Sequence, residues 1–173
     1  SAASPRPEVF DAPPDALDTA GARSIVLASN LAEVTSLRLP RRVYADIFLG
    51  RVTMWNDEAI AAANPGARLP RTPIGVVHRS DRTVTTAAFT EHLSAISPEW
   101  EYGPGASPAP QWPIGLGAKG NEGVATTIRQ SVGSLGYLDF RFARQSKLRM
   151  AALENRSGAF VDPTAASGQA ALA

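Results

Sequence analysis

The chain alternates between short, nearly continuous apolar runs and longer stretches in which apolar residues recur every three or four positions. "SIVLAS" (Ser24–Ser29) predicts a strand, and "PIGVVH" (Pro73–His78) predicts a strand covered on both faces. "LPRRVYADIFLG" predicts a helix, with Pro40 near its first turn and Gly50 just past its end. Val43 with Ile47, and Tyr44 with Phe48, make one buried side of it. "WNDEAIAAANPG" predicts a second helix capped by Asn56, with Asp57 and Glu58 near its positive end and Asn64-Pro65-Gly66 as its stop. Phe89, Leu93 and Ile96 fall on one face of a third, ended by Ser97-Pro98.

Beyond an irregular Pro- and Gly-rich loop, "EYGPGASPAPQWP", Val124 with Ile128 marks another helix. "GSLGYLDF" turns into a strand, "RFARQSKL" forms a short helix, and "MAALENRSGAFVDP" a hairpin turning at Ser157-Gly158. Asp162-Pro163 suits the opening of a last helix. Strands alternating with helices predict an α/β domain over residues 24–173, with a mostly parallel central sheet flanked by helices. Residues 1–23, rich in Pro and Ala, predict an extended arm or linker.

Composition narrows the chemistry. The 173 residues are 44% hydrophobic and 19% charged, below the ~25% charge of ordinary soluble domains. A formal net charge of +1 gives no general pull toward nucleic acid or anionic membrane, so any positive site is local. The absence of cysteine rules out disulfides, thiolate metal sites and cysteine nucleophiles. No run of ~18 apolar residues exists to span a bilayer. The start, "SAASPRPEV", carries no basic-then-apolar leader; processed exported and intracellular chains both begin in this way.

Catalytic signatures are missing, and the expectation is that the protein is not an enzyme and carries no cofactor. The two histidines, His78 and His92, have no metal-ligand spacing and suit structural roles. No G-x-S-x-G elbow occurs, and "GLGAKGN" lacks the G-K-[ST] of a Walker loop. Anion binding fits better. "HRSDRTVTT" joins a strand to a helix start, where unpaired amides and a partial positive charge favour an anion. Thr83, Thr85 and Thr86 can add hydroxyls, Arg79 a planar fork for two oxygens, and Asp81 a partner that fixes the Arg79 rotamer. The same hydroxyls equally suit plain helix capping.

Three stretches carry a resemblance. "YADIFLGRVTMWNDEAIAAANPG" resembles the A-D-I-F-L-G-K-I-T-x-W-N-D-P segment of the phosphate-binding proteins that serve bacterial phosphate ABC transporters. "VVHRSDRTVTTAAFTEHLSAISPEW" is similar to their V-V-H-R-S-D-G-S-G-T-T segment. "WPIGLGAKGNEGVATTIRQSVGSLGYLDFRFARQSKL" is similar to their W-P-x-G-x-G-x-K-G-N-x-G-V segment and the G-x-I-G-Y that follows.

The resemblance implies a periplasmic-binding-protein-like fold, a periplasmic or extracellular location, and inorganic phosphate or a related oxyanion as ligand. It covers the middle lobe of a two-lobed protein, so the chain reads as one lobe, cut from a longer protein or standing alone. Arg79 matches the family's phosphate-gripping arginine, Asp81 its aspartate partner, Thr83 its serine and Thr85 its threonine. Arg82 and Val84 replace the two glycines of G-S-G, which implies a partly degenerate site with phosphate affinity in the millimolar range or weaker. A non-binding accessory subunit is the alternative. It would sit on the outer face of a membrane assembly, with a protein partner against its cleft face and N-terminal arm.

Overall fold

The computed structural model describes residues 24–163. The N-terminal arm and the helix expected after Asp162-Pro163 lie outside the described residues. A five-stranded sheet forms the centre, from β1 (Ile25–Ser29), β3 (Gly75–Arg79), β4 (Leu116–Ala118), β5 (Ser134–Asp139) and β6 (Arg149–Met150), in the order β4-β3-β5-β1-β6. A small second sheet joins β2 (Arg38–Leu39), β7 (Ala152–Glu154) and β8 (Phe160–Val161). Six helices accompany them among the described residues: α1 (Arg41–Leu49), α2 (Glu58–Ala63), α3 (Val84–Ile96), α4 (Pro98–Tyr102), α5 (Gly120–Gln130) and α6 (Phe140–Gln145).

The parallel expectation holds for β4, β3 and β5. β1 instead runs antiparallel to both β5 and β6, so the central sheet is mixed. Helical crossovers impose the parallel direction between β3, β4 and β5, whereas β1 enters the sheet from outside that succession.

Side-chain alternation divides the core into two layers. Ile25, Leu27, Val76, Leu135 and Tyr137 face one side, where α1 and α3 supply Tyr44, Phe48, Phe89 and Leu93. Val26, Ala28, Val77 and Leu138 face the other, where α5 and α6 supply Val124, Ile128 and Ala143. The strand at Pro73–His78 is therefore buried on both faces at Val76 and Val77, as its continuous apolar run predicts.

Local signals behave as their chemistry requires. Gly50 ends α1 in the left-handed region at φ 82°, its amide donating to the carbonyls of Asp46 and Ile47. Pro40 is the residue before α1 rather than inside its first turn. The cap of α2 is Asp57, not Asn56: Asp57 Oδ1 accepts the Ala59 amide at 2.8 Å, and its carbonyl accepts the amides of Ile60 and Ala61. Ser97 ends α3 and caps α4 through the Trp100 amide. Thr90 Oγ1 ties the irregular loop to α3, bonding both the carbonyl and the amide of Ser107 at 2.9 Å. The buried Trp55 indole donates to the Gly133 carbonyl at 2.8 Å.

The histidines take internal places. His92 shares a 2.6 Å hydrogen bond with the Tyr44 hydroxyl in the core. His78 stacks on Trp112 with ring centroids 4.6 Å apart.

Gly136, in the middle of β5, packs tightly against α5. A Cβ there would lie 2.9 Å from the Val77 carbonyl oxygen and 3.0 Å from Ile128 Cδ1. Gly136→Ala should destabilise the domain by about 1–3 kcal/mol, lowering the thermal midpoint by several degrees. Differential scanning calorimetry checks this, and an unchanged midpoint would show that α5 yields without cost.

Candidate functional site

Adjacent parallel strands β3 and β4 send their following helices to opposite faces of the sheet. α3 packs with the Phe89 layer and α5 with the Ile128 layer. In an open α/β sheet this divergence opens a crevice at the carboxyl ends of the strands, the usual place for a ligand. Both helices begin there, so two partial positive charges converge on one point.

Asp81 occupies the point of convergence. Its carboxylate accepts both arms of the Arg79 fork, Nε to Oδ1 and Nη2 to Oδ2, each at 2.8 Å. Oδ1 also accepts the Gly120 amide, at the start of α5, at 3.2 Å. The Arg79 side chain is 4% exposed and the Asp81 side chain 31%. These hydrogen bonds, the Arg79 pair foremost, hold the Asp81 carboxyl down at about 2 against the opposing effect of burial. Gly120 is left-handed at φ 73°, a conformation glycine adopts without strain, and this aims its amide back toward the turn.

Tyr137, on β5, joins the strand end to the helix start. Its hydroxyl oxygen accepts the Arg79 amide at 3.1 Å and shares a 2.6 Å hydrogen bond with Thr86 Oγ1. Its ring stacks on Phe89 at 4.4 Å. Burial pushes the phenol up to about 12, so it remains a neutral partner at ordinary pH.

The predicted site residues fall into distinct places. Arg79 and Asp81 pair as the sequence suggests. Thr83 caps α3, its Oγ1 accepting the Thr86 amide at 3.0 Å. That leaves the Thr83 hydroxyl proton for a further acceptor. The Thr83 amide is taken by the Pro108 carbonyl at 3.1 Å. Thr86 turns into the core toward Tyr137. Thr85 is buried in the first turn of α3, and helix bonding does not engage the amide of Val84.

Arg82 and Val84, standing where glycines occur in the resembled motif, are free of the strain such replacements suggest. Lys147 is the sole non-glycine at positive φ among the described residues, so both keep ordinary backbone conformations. Arg82 is exposed and Val84 half-buried as the first residue of α3.

Sequence reading missed Tyr137 and Gly120 as members of this cluster. The alternation in "SLGYLD" places Tyr137 on the α3 face, a usable signal. Nothing in the local pattern pairs Gly120 with a residue 39 positions earlier.

Comparison with known proteins finds relatives of the chain. The chain is 48% identical over 139 residues to the phosphate-binding protein PstS of Xylella fastidiosa, covering 80% of this chain and 38% of that protein. It is 47% identical over 146 residues to PstS of Pasteurella multocida, covering 83% and 42% respectively. The chain thus spans about two-fifths of the length of the curated relatives it matches. Among solved structures, a high affinity periplasmic phosphate-binding protein (PfluDING) superposes with a TM-score of 0.64 at 23% identity, over 83% of this chain and 41% of its own, a likeness of fold. A family model described as a PBP superfamily domain matches residues 18–172, and the chain belongs to that superfamily.

Proposed function

We propose that this chain is the oxyanion-gripping lobe of a phosphate-type solute receptor, working in the periplasm or outside the cell. The observation that carries the reading is the Arg79–Asp81 fork seated between two converging helix starts. Arg79 supplies the charge. Asp81 fixes its plane, the Thr83 hydroxyl and the first-turn amide of Val84 donate to the remaining oxygens, and Thr86 holds Tyr137 against the strand end. The relatives named for phosphate binding support inorganic phosphate as the ligand. No helix among the described residues is long and apolar enough to cross a membrane.

A two-lobed receptor draws its affinity from donors on both sides of the cleft, and this chain matches about two-fifths of such a protein. The 173-residue chain alone should therefore hold phosphate with a dissociation constant in the millimolar range, roughly 4 kcal/mol of binding. Calorimetric titration with inorganic phosphate tests this. Arg79→Ala should abolish the heat, and Arg79→Lys should weaken binding at least tenfold, because an ammonium cannot reproduce the fork. Binding unaffected by either substitution would overturn the assignment.

In this reading the branched side chain of Val84, the first residue of α3, hinders an oxygen approaching its amide. Val84→Gly should tighten phosphate binding severalfold, read in the same titration. No gain would mean that the valine does not obstruct the site.

Because the Asp81 carboxyl is depressed to about 2, its contribution to stability is complete above its ordinary value near 3.8 and is lost as the pH falls toward 2. Asp81→Asn should lower stability at neutral pH by about 1–3 kcal/mol, screening by solvent keeping it toward the low end. The variant should also flatten the acid limb between about pH 4 and 2, as followed by chemical denaturation across pH. A parallel acid limb in both proteins would exclude the pair as its source.

A further inference from the structure

The register places a second polar cluster at the other end of the sheet. Ile25 pairs with Asp139 at the Arg79 end of the strands, whereas Ser29 pairs with Leu135 at the opposite end, roughly 13 Å away along β5. There, a pocket of about 230 Å³ opens between the end of β1, the end of α5 and the α6–β6 connection. Its lining carries three cations, Arg129, Lys147 and Arg149, with the apolar Leu31 and Leu148, and no carboxylate. None of the three cations has an acidic partner among the described residues. In a protein of net charge +1, this is a local concentration of uncompensated charge.

Two features fix the cluster in place. Arg149 Nη1 donates to the carbonyls of Leu31, Ala32 and Val34 at 3.0, 2.9 and 3.1 Å, so its guanidinium is anchored at the rim. Lys147 is left-handed at φ 56°, directly after the end of α6. The amides of Lys147 and Leu148 return to the carbonyls of Arg144 and Ala143, both at 3.0 Å. Glycine or asparagine takes that position more readily. A lysine there keeps a strained backbone while lining the pocket, and strain of this kind gathers at functional sites.

From this geometry we infer that Arg129, Lys147 and Arg149 form a second anion site, separate from Arg79, that takes clustered carboxylates on a carbon skeleton. The volume exceeds what a single tetrahedral ion fills, and Leu31 and Leu148 suit the carbon atoms between charged groups. Guanidinium forks and an ammonium suit carboxylates at different angles. Such carboxylates come either from a free di- or tricarboxylic acid or from neighbouring acidic side chains of a protein.

Titration of the isotope-labelled full chain, followed by amide resonances, decides it. Propane-1,2,3-tricarboxylate is one probe and an end-blocked pentaglutamate peptide the other, at constant ionic strength. Saturable shifts are expected at Asn30, Arg129, Lys147 and Leu148. Stronger binding of the acid would identify a small-molecule ligand, and stronger binding of the peptide an acidic protein segment. Lys147→Asn removes the charge while suiting the left-handed backbone, so its thermal midpoint should not fall. Combined with Arg129→Gln, it should weaken binding tenfold or more. Arg79→Ala should leave this site unchanged, which separates its fate from that of phosphate binding. Shifts that never saturate, that chloride reproduces, or that persist in the double variant would overturn the inference.

Discussion

The region at the carboxyl ends of the strands depends on one requirement: a buried guanidinium must have a carboxylate. Arg79 is almost wholly enclosed, and an arginine remains charged at any pH the fold survives. Unpaired, it would carry a desolvation cost of several kcal/mol. Asp81, two residues on, meets the cost with two parallel hydrogen bonds and is itself steadied by the Gly120 amide. That arrangement compels the chain to turn sharply after β3 and α5 to begin against the turn. The divergence of α3 and α5 at this end of the sheet goes with satisfying that charge, and the Arg79 fork is held in one plane by it.

Tyr137 extends the same logic into the core. Its ring belongs to the aromatic layer of Phe48, Phe89 and Trp112, while its hydroxyl reaches both the strand end and the first turn of α3. Apolar packing therefore sets the position of a polar turn. A shift of α3 against the sheet would break the Phe89 stack and the Thr86 hydrogen bond together. The phenol is held far from ionisation by burial, so this linkage is indifferent to pH, whereas the Asp81 pair yields only in strong acid.

Much of this was legible in the sequence, because it is governed by neighbours. The i,i+4 pairs of α1, the glycine ending it, the two-sided burial of Val76 and Val77, and the Arg79–Asp81 pairing all lie within a few residues of their signals. The direction of β1 is different. A five-residue apolar run reads the same in either orientation, and its antiparallel pairing is decided by β5, more than 100 residues later. The choice of Asp57 over Asn56 also escaped the pattern, since either residue caps a helix and a one-residue register decides. At the site, the turn pattern "HRSDRTVTT" marks the threonines as hydroxyl donors. The structure assigns Thr83 to the cap and Thr86 to Tyr137, an allocation that depends on which side of a single helical turn each faces.

Arg82 and Val84 stand where the resembled motif has glycines. A glycine motif is commonly read as a demand for left-handed backbone, and Val84 in such a place would then imply strain. The helix start here asks for no positive φ: Thr83 is extended at φ −146°, and Val84 follows as the first helical residue. What glycine would contribute at this point is space beside an amide, not conformational freedom. Its replacement by valine therefore requires no change of backbone conformation at this helix start. The converse holds at Lys147, where the backbone is left-handed and the residue is not glycine. Read together, the positions show that backbone strain and ligand access are separable quantities. The first is visible in φ, the second only in what a side chain would occupy.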